Sequence, residues 1–544
     1  MLNTGLTMTE AFHQIAVSRL NQEAIICQGA SLTYGQTLDR ANALARGLYA
    51  LGIGKGDKIV CLLPPGAEFV QLFFATAELG AVIVPLNLQS RSRGITGVVR
   101  SAEPAALVTA RPLDEPLLEE FSGLRQVISL GTMDGIDLSV DKVIALGKNS
   151  RPPANEVVPD DLLALLFTSG TTGSPKGTMH SHKSLIAPVV ATTKLRELWM
   201  TRPSLKWLGM SAKALARYRM RLLRAAGRPQ TFLSTVGWHS ISGLMIMLQC
   251  LLMGDRLVVM PRFHPREALQ LVEREGVSIL IAIPMILQIL LEIQKSDPYD
   301  TSSLLICGTG AAPCPPSLAR EAQSVFGCAV HIGFGSTETA GGISATSLAD
   351  SDERQAATVG RPMPGMEIKV VDAQRREVPL GEVGEVACRS ESLMLGYYHA
   401  PDDTAEVMDE AGWYYTGDLG AIDEQGYLRI VGRKKDIIIR GGQNIYPEEI
   451  EAYLCTHPMI REAVVVGVPA AVGGENVWAF VLLEDGAKMG EQEVLEFCRK
   501  ELEPYKIPSQ VRIVRDLPRS ETGKPQKFRL REEAIQLIQK GGVG

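Results

Sequence analysis

Residues 167–177 read Phe-Thr-Ser-Gly-Thr-Thr-Gly-Ser-Pro-Lys-Gly, directly after an apolar run at 162–167. The apolar run predicts a buried strand, so the glycine- and hydroxyl-rich stretch is a loop at that strand's end. Gly170, Gly173 and Gly177 let the backbone approach a ligand closely. Thr168, Ser169, Thr171, Thr172 and Ser174 add hydroxyl donors, and Lys176 adds a cation. A loop so rich in donors suits phosphate oxygens. It differs from the common phosphate loop, whose lysine directly follows the last glycine and precedes a Ser/Thr. Here Pro175 precedes Lys176 and Gly177 follows it. A flexible Ser/Gly turn is the plain alternative, and a lysine beside proline among three glycines speaks against it.

Around this loop the first half of the chain alternates short apolar strands with amphipathic helices. Residues 58–63 predict a strand, Ala67–Leu79 a helix and 81–85 a strand; the order recurs with a helix over Pro265–Glu275 and a strand over 277–283. Repeated units of this kind argue for parallel sheets with helices on both faces. Past about Val431 the character changes. A charged, glycine-led break at 432–436 precedes a helix start at Pro447, strands at 463–468 and 478–483, a helix over 491–502 and a strand at 511–514. The expectation is a large α/β domain over 1–434, with parallel-rich layered sheets, and a small mobile α+β domain over 435–544.

The chain has 544 residues, 45% of them hydrophobic and 21% charged, as ordinary globular proteins do. Its net charge of −6 gives no reason to expect nucleic acid. Nine scattered cysteines without a Cys-x-x-Cys pair suit reduced thiols better than disulfides or zinc. No signal peptide is visible over residues 1–11, and the apolar stretch 277–293 is interrupted by Pro284 and Gln288. These features read as a cytoplasmic protein.

The loop resembles the phosphate-binding signature of the adenylate-forming superfamily, which includes acyl-CoA synthetases, coumarate-type ligases, luciferases and peptide-synthetase adenylation domains. The resemblance covers nearly the whole chain. Gly335-Ser336-Thr337-Glu338 resembles the second ATP signature and implies that Glu338 holds Mg2+; a hard cation on phosphates takes one or two carboxylates. The family's tyrosine before that glycine is Phe334 here, whose ring can still stack on adenine. Gly310-Ala311-Ala312-Pro313 resembles the segment lining the purine's other face.

Tyr415-Thr416-Gly417-Asp418 resembles the ribose-binding motif, with Arg433 matching the second ribose contact. Read alone, Asp418 would be a turn-capping aspartate. Ser336 and Thr337 join the nucleotide contacts, Lys435 matches the interdomain hinge, and Gly441-Gly442 the glycine pair at the pantetheine channel. Lys524, in Arg519-Ser520-Glu521-Thr522-Gly523-Lys524, matches the lysine that reaches the active site during adenylation.

What this resemblance implies is an ATP-dependent acid–CoA ligase. A carboxylate and ATP give an acyl-adenylate and pyrophosphate, and the coenzyme A thiol then gives an acyl-CoA and AMP. Lys176, Glu338 and Lys524 carry the catalytic roles. Two other readings stay open: loading of a separate carrier protein, and a non-catalytic acyl-adenylate or lipid sensor on the same fold.

Trp238-His239 with Gly243 resembles the Phe-His segment at the acyl pocket and thiol tunnel, and lacks the aspartate that peptide-synthetase domains use for an amino group. The small-sided Ala340-Gly341-Gly342, with Met245, Met247, Ile283 and Met285 as apolar candidates, points to a bulky acid: medium- or long-chain fatty, or alicyclic or aromatic. One departure stands out. Between Glu197 and Asp255 there is no acid, and eight basic residues from Arg202 to Arg228 are interleaved with Trp and Leu. This basic insertion, about 200–230, is a candidate for peripheral contact with anionic membrane; a solvated surface excursion is the alternative.

Overall fold

The computed structural model describes residues 2–90, 92–113, 117, 123–150, 156–168, 176–200, 221, 227–348, 350–440, 443–470, 474–519 and 523–539. Most of the phosphate loop (169–175), most of the basic insertion, and Gly441 and Gly442 lie outside them. The chain forms two units: Met1–Glu367 with Cys388–Tyr414, and Ile368–Ala387 with Tyr415–Gly544. The smaller unit thus takes in two segments ahead of Lys435.

The larger unit holds two sheets of mainly parallel strands. In a nine-stranded sheet, Ala329–Phe334, Ile306–Thr309, Ile279–Ile281, Thr231–Ser234, Arg256–Val259 and Glu23–Cys27 lie side by side, each pair parallel. In a seven-stranded sheet, Leu162–Thr168, Val82–Pro85, Lys58–Leu62, Ala106–Thr109 and Gln126–Ser129 are likewise parallel.

Alternation along each strand sorts side chains between faces. Ile59 and Cys61 enter one core while Val60 and Leu62 enter another. Leu257 and Val259 share the first of these with Ile59, and Val258 faces a third. That shared core includes the helices Tyr34–Ala50, Ala67–Leu79 and Ile241–Leu252, so helices are layered between the two sheets.

Local signals account for the element ends. Ala67–Leu79 stops at Gly80, whose φ of 64° is the left-handed helix cap that glycine favours. Pro265 opens its helix at the first turn, where no amide donor is needed. Pro284 divides the apolar stretch in the same way: the strand Ile279–Ile281 ends before it, and the helix Pro284–Ser296 begins on it. Among the described residues no helix is long and apolar enough to cross a membrane.

In the smaller unit, strands Ile460–Pro469, Glu475–Leu483 and Gln510–Val514 form a sheet covered on both faces. Val465, Ala479 and Val481 pack with the helices Pro447–Leu454 and Glu491–Glu501, and Val464, Val466 and Phe480 with Lys527–Gln539. A second sheet has the order Glu367–Val371, Gly384–Arg389, Tyr414–Ile422, Leu428–Arg433.

Candidate active site

In a parallel sheet, ligands gather beyond the carboxyl ends of the strands. Three sequence-predicted segments sit there on the nine-stranded sheet, two on adjacent strands and the third beyond the intervening strand Ile279–Ile281. Gly310–Pro313 follows Ile306–Thr309, Phe334–Glu338 closes Ala329–Phe334, and Trp238-His239 follows Thr231–Ser234. Glycine lets these loops close up. A Cβ on Gly310 would come 2.7 Å from the Gly333 carbonyl oxygen, and one on Gly335 would fall within 1.3 Å of the Gly341 carbonyl oxygen. Ala311 (φ 64°) and Ala340 (φ 50°) hold left-handed conformations without being glycine. Such strain clusters at functional sites.

Ala311 and Pro313 are exposed, whereas Phe334, Ser336, Thr337 and Glu338 are half-buried. Trp238 turns into the core, edge-on to Phe69 at 5.3 Å, while His239 stays half-buried. The imidazole fits because position 237 is glycine; a Cβ there would lie 2.6 Å from the ring. Met245 and Met247 are both buried in the core, Met245 lying 3.7 Å from where a Cβ on Gly341 would stand, and Met285 is exposed.

Glu338 is held at several points. Its carbonyl oxygen accepts from the Met394 amide (2.8 Å), and the neighbouring Thr337 carbonyl oxygen accepts from Nε2 of the buried His180 (2.8 Å). Burial lowers the pKa of His180 to about 4, so a neutral ring makes that bond. The Tyr397 hydroxyl donates to Glu338 Oε1 at 2.8 Å, and the buried Tyr414 lies alongside. Among the described residues no cation pairs with Glu338, and no three-residue cluster of His, Cys, Asp and Glu is shaped for a metal. A carboxylate with one oxygen anchored and its charge uncancelled fits the single protein ligand of a phosphate-bound Mg2+.

Lys176 opens the strand Lys176–Ser181, which pairs antiparallel with Leu162–Thr168 so that Thr168 faces Lys176. Residues 169–175 connect those two in the sequence. Lys176 Nζ lies 3.0 Å from Asp403 and 5.3 Å from the centre of the Tyr397 ring.

The smaller unit carries the remaining predicted residues. Asp418 is buried in the strand Tyr414–Ile422, not in a turn, and faces Arg433 across the ladder. Arg433 Nε donates to Asp418 Oδ1 at 2.7 Å. The Asp418 amide donates to Thr416 Oγ1, and the Gly417 amide to Glu385, which also pairs with Lys434 at 2.8 Å. Lys435 lies in the short 3-10 turn Lys434–Asp436; burial lowers its pKa, with Arg433 and Lys527 adding to the effect.

Lys524 is exposed on a loop pinned at its root. Arg519 pairs with Glu462 and donates to the Gly523 carbonyl oxygen (3.1 Å), and Arg519 and Pro525 form a β-bridge.

Sequence reasoning missed Tyr397, Asp403 and His180, and named Arg519 only as the start of the motif that ends at Lys524. The one local signal for Tyr397 is the glycine before it, which adopts φ 135°.

Residues 12–398 match the family described as AMP-binding enzyme, and 449–524 match the AMP-binding enzyme C-terminal domain. The chain belongs to this AMP-binding enzyme family, whose members use ATP and coenzyme A, and it is an AMP-forming acid–thiol ligase. A putative acyl–CoA ligase of Bacillus subtilis (strain 168), YdaB, is 34% identical across 94% of this chain and 96% of that protein. The medium-chain fatty-acid–CoA ligase of Escherichia coli (strain K12) is 33% identical across 94% of this chain and 87% of its own length. Among solved structures, ATP-bound MatB from Rhodopseudomonas palustris superposes with a TM-score of 0.82 at 27% identity, covering 98% of this chain and 100% of that one.

Proposed function

We propose that this ligase activates a medium- or long-chain fatty acid, or an alicyclic or aromatic acid of similar bulk, and transfers it to coenzyme A. The observation that carries this reading is the approach of Met245 to Gly341, beside the loop of Glu338. A flexible thioether facing a residue without a side chain leaves adaptable apolar space. The similarity to a medium-chain fatty-acid–CoA ligase supports the same acid class.

In this reading the substrate carboxylate attacks the α-phosphorus of ATP, the bond to the β-phosphate oxygen breaks, and pyrophosphate departs. Negative charge grows on the transferring group and on the leaving oxygens, so fixed donors and cations supply most of the rate. Lys176 and the loop donors Thr168, Ser169, Gly170, Thr171, Thr172 and Gly173 hold the pyrophosphate end. Glu338 would hold Mg2+, which when bound neutralises phosphate charge. Phe334 and Gly335 face adenine with Gly310, Ala311, Ala312 and Pro313, and Ser336 and Thr337 contact AMP. Asp418 and Arg433 take the ribose, and Lys524 meets the carboxylate and α-phosphate.

The adenylate must be kept dry until the thiol arrives. Lys435 is the proposed hinge for withdrawing Lys524 and presenting Gly441 and Gly442 to the pantetheine arm beside His239. Docking of the basic insertion on anionic lipid rests on its composition alone. Carboxylic acids of graded length and ring content, scored by pyrophosphate release with CoA present, test the proposal. Acids of about eight carbons or more, or with a ring, should be turned over best; a preference for acetate or for amino acids would overturn it.

A further inference from the structure

We propose that Tyr397 is a positioning residue for adenylation, fixing the carboxylate of Glu338 and, through its ring, seating Lys176 at the end of the phosphate loop. The inference rests on the roles given above to those two residues. Tyr397 is the side chain that touches both: its hydroxyl donates to Glu338 Oε1 at 2.8 Å, and Lys176 Nζ lies 5.3 Å from its ring centre.

Its own placement is over-determined. The strand Gly396–Tyr397 pairs with Lys176–Ser181, putting Tyr397 opposite Thr178 and Gly396 opposite Met179. The Leu395 amide donates to the Met179 carbonyl oxygen (2.8 Å), and the Tyr398 amide to that of Gly177 (2.7 Å). The Tyr397 amide is taken by Thr404 Oγ1 at 2.9 Å. A side chain at Gly396 would press on Thr404 at 3.0 Å and would have to adopt φ 135°. The phenol therefore reaches Glu338 from the same strand edge that carries Lys176.

The chemistry of the group suits the task. A lysine or arginine in this position would orient Glu338 but cancel its charge, competing with a divalent cation. A phenol orients the carboxylate and leaves its charge intact, as the outer hydrogen-bond partners of metal ligands commonly do. The ring adds a second function, because an aromatic face attracts an ammonium group within about 6 Å. Asp403 holds the same ammonium at 3.0 Å, so the lysine is steered from two directions.

The experiment compares Tyr397→Phe, Glu338→Gln and the double variant in the full-length enzyme. Mn2+, read by electron paramagnetic resonance with a non-cleavable ATP analogue present, serves as the probe of the cation site. Losing one outer partner typically costs 10- to 100-fold in metal affinity, so Tyr397→Phe should weaken Mn2+ binding about tenfold. It should also raise the Mg2+ needed for carboxylate-dependent pyrophosphate exchange, while CoA still converts supplied acyl-adenylate at the normal rate. In the Glu338→Gln background the Phe substitution should add nothing. Mn2+ binding that is weakened by Glu338→Gln but untouched by Tyr397→Phe would overturn the inference and leave the Glu338 role standing. Unchanged binding in Glu338→Gln would overturn the Glu338 role itself. A lower unfolding midpoint in Tyr397→Phe, with both half-reactions slowed alike, would reduce Tyr397 to a packing residue.

Discussion

Glu338 in the larger unit and Asp418 in the smaller one carry the same charged group in opposite surroundings. Glu338 is fixed by a neutral phenol and, among the described residues, has no cation paired with it. Asp418 is buried with the Arg433 guanidinium 2.7 Å away. The contrast suits the proposed roles: a carboxylate that is to take up a divalent cation cannot already be neutralised, whereas one that is to accept ribose hydroxyl bonds gains from a guanidinium that locks its orientation.

Buried titratable groups elsewhere repeat the contrast. In the larger unit burial lowers the pKa of His180, His182 and His331 to about 4. In the smaller unit burial raises Glu451 to about 7, partly opposed by Lys527 at 3.0 Å.

The largest expected effect breaks the two units apart by pH. Each of the three histidines binds a proton in the unfolded chain near pH 6.5 but in the folded chain only near pH 4. Their contribution is complete above pH 6.5 and disappears as pH falls toward 4. Asp255, raised by burial to about 6, works in the opposite direction and offsets about one of them. The net loss for the larger unit is roughly 5 kcal/mol at pH 4. Glu451 is raised, so the smaller unit gains stability as pH falls from about 7 to 4.5. Urea unfolding at pH 7 and pH 4.5, followed by hydrogen exchange of peptides from 329–334 and 460–469, should show the first segment weakening and the second holding. Parallel loss in both would contradict the burial argument.

Lys524→Ala should follow in size. In the proposed mechanism Lys524 is the cation aimed at developing charge, and removing such a group costs about 10³-fold, so carboxylate-dependent pyrophosphate exchange should fall by about that factor. Thioester formation from supplied acyl-adenylate and CoA should persist, because the larger unit's segments beyond the strand ends are untouched. Equal loss of both steps would mean that the smaller unit's lysine is not specific to adenylation.

How much of this was legible in the sequence depends on how far apart the partners lie. The strand that leads into the loop around Lys176 and the helices Ala67–Leu79 and Pro265–Glu275 follow from local pattern, and the structure has those helices over the same residues; the strand Lys176–Ser181 that follows the loop had no such signal. Glu338 was legible by motif. Its holding was not: Tyr397 reaches it across 59 residues, through the pairing of a two-residue strand with Lys176–Ser181, and no periodicity announces that pairing. His180 reads as an ordinary polar residue in a strand until its bond to the Thr337 carbonyl is seen. Asp418 looked like a turn residue because Thr-Gly-Asp is turn chemistry, and the strand wins because its neighbours Tyr414, Tyr415, Leu419 and Ala421 are all buried.

The smallest effect sharpens the comparison at Asp418. Its side chain is 8% exposed and that of Arg433 is 46% exposed, so solvent screens the pair and its net worth is about 1 kcal/mol. Arg433→Ala should lower the unfolding free energy by about that amount and raise the KM for ATP roughly fivefold, with little change in kcat, since in the proposed reading the pair holds the ribose alike before and during the reaction. Arg433→Lys keeps the charge but not the planar fork, and should recover only part of the KM change. Adding 0.5 M salt should narrow the gap between the lysine and alanine variants, because a half-exposed ion pair is screened. If both variants bind ATP as the parent does, the guanidinium serves only the strand pairing of Asp418 with Arg433, and the contrast between the two carboxylates becomes one of stability alone.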